Sequence, residues 1–155
     1  MLFRSAGTSS PLTDGASATI VCSLDYAEKN GLEPLAKIKS IAVSGCDPEI
    51  MGIGPVGASL KAAARAGIDV KSIDVVELNE AFASQAIACI RDLGIDPAKV
   101  NLDGGAIALG HPLGATGARI VGKAAQIMKR EGKKTALASQ CIGGGQGIAT
   151  ILEAL

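Results

Sequence analysis

Tryptophan is absent from this sequence, and two phenylalanines and one tyrosine are its only aromatics. A core must therefore be built from Ala, Val, Ile and Leu, with twenty glycines allowing close backbone approach. No apolar run reaches the roughly 18 residues of a membrane helix, so no membrane partner is expected. Met1-Leu-Phe-Arg-Ser5 is too short for a signal peptide, and no apolar segment of that kind follows it. Charge of one sign is also missing: fifteen basic residues balance fifteen acidic ones without a basic stripe, which argues against nucleic acid and anionic surfaces as partners. The four cysteines (Cys22, Cys46, Cys89, Cys141) form no Cys-x-x-Cys pair, and a single histidine accompanies them. That argues against a metal site and a disulfide framework, and for reduced thiols in the cytoplasm. Tandem repeats and low-complexity linkers are lacking, and 155 residues suit one domain or part of a larger one.

The patterning that is present alternates strand and helix. Ala6 to Thr13 reads as a small polar loop, and Ala16 to Cys22 as a short helical turn or a buried strand. Leu24 to Asn30 predicts a helix stopped by Gly31, and Ala36 to Val43 a strand. Gly45 to Gly57 is loop, Val56 to Ala66 an Ala-rich helix ended by Gly67. Asp74 to Leu78 predicts a strand and Glu80 to Leu93 a helix ended by Gly94. After the glycine-rich stretch Asn101 to Gly110, Pro112 opens the longest predicted helix, to about Arg130, stopped at Gly132. Thr135 to Cys141 and Ile148 to Leu152 form a closing pair of strands around Gly143 to Gly147. This order predicts a layered α/β unit whose mixed sheet is covered by helices.

Three segments carry groups suited to chemistry. The histidine lies in Gly104-Gly-Ala-Ile-Ala-Leu-Gly-His111-Pro-Leu-Gly-Ala-Thr-Gly117. At the positive end of a helix opened by Pro112, its imidazolium is disfavoured, which leaves a neutral ring able to accept a proton near pH 7. An inert turn histidine is the alternative. Cys141 ends an apolar strand in Cys141-Ile-Gly-Gly-Gly145, where glycines remove cover and leave backbone N–H groups able to face an oxyanion. A tight hairpin needing glycine for positive φ is the other reading, whereas Cys22 and Cys89 fit small buried hydrophobes. Asn79, in Asn79-Glu-Ala-Phe-Ala83, follows a strand and precedes a helix, where α/β sheets build sites. Its amide either holds a water or a carbonyl, or caps the helix. Glu80 either orients a neighbour or favours the helix N-terminus.

Together, in order and spacing, these three segments resemble the C-terminal signatures of the thiolase family. Ala6-Gly7-Thr8-Ser9-Ser10 through Asp14-Gly15-Ala16 resembles that family's stretch near coenzyme A, and Gly52 to Pro55 its Met-Gly-x-Gly-Pro loop. The resemblance implies a thiolase-like layered fold, one half of the usual duplicated architecture, and Claisen-type acyl transfer between coenzyme A thioesters. Coenzyme A and acyl-CoA would then be substrates, with no permanently bound cofactor. By the same resemblance His111 activates a nucleophilic cysteine, and Cys141 moves the α-proton of the second acyl group. Asn79, through a water, joins His111 in one oxyanion hole, and the Gly143 N–H contributes to the other. Ser10, Ala6 and Phe82 match positions beside the pantetheine arm, and Met51 one lining the acyl pocket. Family members are homo-oligomers, dimers or tetramers.

The chain departs from the pattern at the nucleophile. Cys22 lies in an apolar run, Cys46 in an Asp-Pro loop and Cys89 within a helix, none of them an activated setting. The nucleotide-gripping loop and the first of the two similar halves have no counterpart either, and Thr8 stands where the family usually has Asn. The expectation is a C-terminal portion of a thiolase: 1–12 a remnant of a preceding loop region, 13–34 the last elements of an N-terminal half, 35–155 the C-terminal domain. Such a chain would not turn over alone. A non-catalytic subunit or coenzyme A-binding module is the competing reading. A phosphate-binding loop is disfavoured because Gly104 to Gly110 has no Lys or Ser/Thr at the required positions.

Overall fold

The structure is a computed structural model that describes residue 5 and residues 7–155. A first helix, α1 (Leu24–Lys29), is capped by the Ser23 hydroxyl accepting from the Tyr26 N–H and ends before Gly31, at φ 62°. Strand β1 (Lys37–Gly45) leads through a 3₁₀ segment, Pro48–Ile53, into α2 (Gly54–Ala66). Then come β2 (Val75–Leu78), α3 (Ala83–Leu93), a single turn α4 (Ala106–Leu109), α5 (Thr116–Arg130), β3 (Thr135–Ile142) and β4 (Gln146–Glu153). Gly67 and Gly94 stop α2 and α3 in the left-handed conformation, as the sequence indicates.

Strand order is β1-β4-β3-β2, with β2 parallel to β3 and the other two pairings antiparallel. The sheet is thus mixed, as expected from a crossover between β2 and β3 followed by a hairpin. Side-chain alternation sorts its residues into two cores. Val76, Leu78, Leu137, Ala149 and Ile151 pack with Ala58, Ala62 and Ala63 of α2 and Ala86, Cys89 and Leu93 of α3. On the opposite face Val75, Ala136, Ala138 and Leu152 meet Ile120, Ala124, Ile127 and Met128 of α5. Three layers result, with alanine at the helix contacts letting the helices sit close.

Five expectations require correction. Ala16 to Cys22 is neither helix nor strand; it is extended coil, with Ile20 and Val21 exposed. The segment has no side-chain cap like that of Ser23 on α1, and no strand edge pairs with it among the described residues. The helix expected from Glu80 begins at Ala83, because Phe82 is extended and bridges Ser9. The helix expected from Pro112 begins at Thr116; the Pro112 carbonyl first closes a turn by accepting from the Ala115 and Thr116 N–H groups. Within the expected Gly45 to Gly57 loop stands the 3₁₀ segment, and α2 already starts at Gly54. The closing hairpin is tighter than expected: β4 begins at Gln146 rather than Ile148, so only three glycines, 143 to 145, connect it to β3.

Candidate active site

The C-terminal ends of the two parallel strands lie side by side, the position at which open α/β sheets place ligands. Beyond β2 the Asn79 N–H donates to the Ser139 carbonyl of β3 at 3.0 Å, two residues before Cys141. This bond holds Asn79 on the sheet, and its side chain is 1 % exposed. Asn79 does not cap α3, which starts four residues later.

Asn79 Nδ2 lies 3.3 Å from His111 Nε2, so the structure brings together two groups 32 residues apart in sequence. Asn79 Oδ1 is buried with no protein partner. A buried amide oxygen of that kind is costly unless a ligand or water donates to it. On the other side of the ring, His111 Nδ1 lies 2.7 Å from Thr116 Oγ1 at the start of α5. Burial, and after it the positive charge of Arg119, hold the His111 pKa below its ordinary 6.5. Both causes favour the neutral ring expected from the sequence, although they are burial and a neighbouring charge rather than the helix dipole.

The loop that presents His111 is fixed from below by Glu80. Its carboxylate accepts from Asn101 Nδ2 at 3.0 Å and from the Ile107 N–H at 3.1 Å. Gly105 lies so close to this carboxylate that any Cβ there would collide with it. Asn101, at φ 50°, completes the support: Oδ1 accepts from the Leu78 N–H and Nδ2 donates to the Leu78 carbonyl, both at 2.9 Å. Asn101 thus acts as a short extra strand on the free edge of β2. Sequence reading missed it, although an asparagine before Leu-Asp-Gly-Gly is a signal for a left-handed residue. Of the two roles open to Glu80, orienting a neighbour is the one the geometry shows.

Cys141 is half-buried near the end of β3, and burial pushes its thiol pKa up, so it rests protonated. Two of the following glycines, Gly144 and Gly145, have φ 85° and serve the hairpin. Gly143 does not; it is exposed and a Cβ there would meet nothing within 4 Å. The three-glycine run is therefore only partly explained by the turn. Gly117 of α5 sits beside the Gln140 amide, which places the start of α5 next to the residue before Cys141.

Ser10 and Phe82 are adjacent to each other: the Ser10 N–H and hydroxyl both donate to the Ala81 carbonyl, and Ser9 bridges Phe82. Phe82 is 37 % exposed. Met51 is partly buried in the 3₁₀ segment before α2, its carbonyl 3.9 Å from the Cys46 thiol. Ala6 lies outside the described residues. Cys89 is buried against the Gly52 carbonyl and its pKa is pushed up to about 11, a structural thiol as expected. Cys22, expected to be equally buried, is exposed because its segment forms no element. A cavity of about 510 Å³ lined by Glu33, Leu35, Met128, Lys129 and Leu155 shares no residue with this site.

Behind the site, Glu77 of β2 is 1 % exposed on the α5 face, and its Oε1 has no partner. Burial pushes its pKa up to about 7 from the usual 4.5; Arg119 and Lys123 oppose this, while Asp103 and Glu80 add to it. The folded chain therefore holds a proton that an unfolded one releases above 4.5. This contribution is full below pH 4.5 and is lost as pH rises through 7, a change of about 3 kcal/mol at 1.36 kcal/mol per unit. Glu77→Gln is expected to remove that decline, read as urea unfolding of parent and variant between pH 5 and 8. Parallel curves for the two proteins would rule it out.

Comparison with known proteins extends this geometry. A family profile described as "Thiolase, C-terminal domain" matches residues 32–154. A 3-ketoacyl-CoA thiolase of Marinobacter nauticus is 58 % identical over 151 residues, 96 % of this chain and 39 % of that protein. The crystal structure of human mitochondrial 3-ketoacyl-CoA thiolase superposes with TM-score 0.93 at 52 % identity, over 96 % of this chain and 38 % of that one. A structure of the same human enzyme in complex with CoA superposes with TM-score 0.89 at 49 % identity, over 97 % and 38 % respectively. The chain thus spans about two-fifths of the length of the relatives it matches.

Proposed function

The chain belongs to the thiolase family, through its C-terminal domain, and on that premise we propose that it contributes the base, the second thiol and donors to both oxyanion holes of an acyl-transfer site. The reaction is exchange of acyl groups between coenzyme A thioesters, in the cleavage or the condensation direction. The observation that carries this reading is the buried contact of Asn79 with His111 Nε2, with Asn79 Oδ1 left without a protein partner. A neutral imidazole beside a polar group with spare hydrogen-bonding capacity suits proton abstraction next to a developing oxyanion.

In cleavage, His111 Nε2 takes the proton of a nucleophilic cysteine as its sulfur attacks the 3-keto carbonyl. The oxygen that gains charge is met by backbone N–H groups including that of Gly143. Collapse of the adduct breaks the bond between C2 and C3 and leaves the sulfur acylated. The departing enolate oxygen is held by the protonated His111 and an Asn79-bound water, and its carbon takes the Cys141 proton. Cys141, now a thiolate, accepts the proton of incoming coenzyme A, whose sulfur displaces the enzyme's sulfur, and that leaving sulfur takes back the proton held by His111. A raised thiol pKa suits this role, because the thiolate is then a strong enough base.

Neither Cys46 nor the other thiols has an activated setting, so the nucleophile is assigned to the part of a full-length thiolase that this chain does not contain. Within that protein, 13–34 ends the first half and 35–155 is the C-terminal domain. Ser10 and Phe82 lie along the pantetheine arm and Met51 along the acyl pocket, in a cytoplasmic homo-oligomer. The CoA complex of the human relative supports coenzyme A as substrate. No helix among the described residues is long and apolar enough to cross a membrane.

The test is coenzyme A-dependent cleavage of acetoacetyl-CoA or a longer 3-ketoacyl-CoA by the full-length protein that contains this sequence. Turnover is expected, and is expected to vanish in Cys141→Ala while radiolabelled acyl groups still attach to the enzyme. The 155 residues alone are expected to give none. Absence of cleavage by the full-length protein rejects the reading, and cleavage by the short chain rejects the placing of the nucleophile.

A further inference from the structure

Thr116 has no part in the reaction as described, yet it is fully buried beside its base. Its hydroxyl touches two groups: Oγ1 is 3.0 Å from the Pro112 carbonyl and 2.7 Å from His111 Nδ1. A hydroxyl has one proton to give. A carbonyl can only accept, so the contact with Pro112, four residues back on the same turn, is a hydrogen bond only with the Thr116 proton given to that carbonyl, which also accepts the Ala115 and Thr116 N–H groups. That back-bond is a common choice for threonine near a helix start. The oxygen is then left as an acceptor, and His111 Nδ1 must carry the proton it receives. With Nδ1 protonated in a neutral ring, Nε2 bears the lone pair.

The contact on the other edge of the ring agrees. Asn79 Nδ2 is a donor, and it faces Nε2 at 3.3 Å. If Nε2 instead carried the hydrogen, two donors would confront each other in a buried site, and Thr116 would have to abandon the Pro112 carbonyl. We propose that Thr116 is a positioning residue that fixes His111 in the tautomer with its free lone pair on Nε2, facing Asn79. The proposal rests on His111 serving as the base. It assigns a further task to a side chain fixed in place by the first turn of α5. β-Branching restricts its χ1, so the oxygen is held in position before any substrate arrives. The same bond serves the next state: once Nε2 has taken a proton, Nδ1–H keeps its acceptor. Nε2–H then confronts the Asn79 donor and is released toward a substrate oxygen.

The sequence makes the test simple, because His111 is the only histidine. The 155-residue chain labelled with ¹⁵N-histidine contains two labelled ring nitrogens. At pH 8 the parent is expected to show a protonated, pyrrole-type Nδ1 and a bare, pyridine-type Nε2. Thr116→Val, which keeps the shape and removes the acceptor, is expected to move the ring toward a mixture of tautomers. Thr116→Ser is expected to restore the parent pattern. A parent spectrum with the hydrogen on Nε2 overturns the proposal, as does a Thr116→Val spectrum identical to the parent. Should the valine variant fail to fold, the parent spectrum alone decides.

In the full-length protein, Thr116→Val is expected to lower kcat roughly 10–100-fold with KM within about two-fold, the scale for losing a group that orients a working side chain. Its acid limb moves to lower pH, because the imidazolium has lost an acceptor, and Thr116→Ser recovers the rate. An unchanged kcat refutes the positioning role. A full-length parent without thiolase activity refutes the functional reading instead, which the tautomer measurement distinguishes.

Discussion

In the full-length protein, His111→Ala is expected to lower kcat/KM for thiolysis on the order of 10²–10⁴-fold, the scale for losing a general base. The ring is in place before substrate binds, held at Nδ1 by Thr116 and faced at Nε2 by Asn79. In the proposed mechanism its removal deletes both the acceptor of the nucleophile's proton and a donor to the enolate oxygen. A loss confined to KM would mean that His111 only binds substrate, and equal activity in variant and parent would refute the base assignment. The pH profile carries a second readout. Burial and Arg119 lower the pKa of His111, so the neutral form persists to below 6.5. The acid limb of kcat/KM is therefore expected below pH 6.5, with no further gain from a base already deprotonated at pH 7.

The second large effect concerns the frame rather than the chemistry. Gly147→Ala is expected to destabilise the chain by about 3 kcal/mol, at the upper end for overpacking. Gly147 is the second residue of β4, and Gly54 the first of α2; the two backbones touch. A Cβ on Gly147 would stand 2.6 Å from the Pro55 nitrogen and closer still to the Gly54 carbonyl. Its obstacle is main chain on every side, so no rotamer change can relieve it. The thermal midpoint should fall by roughly 6–12 °C for a chain of this size. Gly122→Ala is the control: it lies in α5 with nothing within 4 Å of the added carbon. There, relief of glycine's backbone entropy should stabilise by about 0.5–1 kcal/mol. A Gly147→Ala protein that melts with the parent would show that the helix can retreat from the strand at little cost.

That contact also shows what sequence can and cannot reveal. Gly147 looked like one more glycine of the loop after Cys141, because its partner Gly54 is 93 residues away. The helices ended by Gly67 and Gly94 were legible, since a C-terminal glycine acts on its own turn. Helix starts were less so. Pro112 and Glu80 are both good first-turn residues, and both precede their helices, because the Ser9–Phe82 bridge and the Pro112 turn intervene. Ala16 to Cys22 is apolar enough for a buried element, yet burial depends on a neighbour that sequence pattern does not supply.

By itself the sequence determined the alternation of strands and helices, the alanine- and glycine-dependent close packing, and which residues could do chemistry. These follow from local rules: periodicity, turn residues, and the rarity of a lone histidine, a thiol and an amide each set among small residues. Tertiary structure decided what those groups do to one another. It placed Asn79 against His111 and gave Glu80 and Asn101 the support of the histidine loop. It lowered the His111 pKa by burial and Arg119, and it left Thr116 with a single proton to spend. Such outcomes depend on distances between residues far apart in the chain and on the solvent each loses on folding, and local rules fix neither quantity.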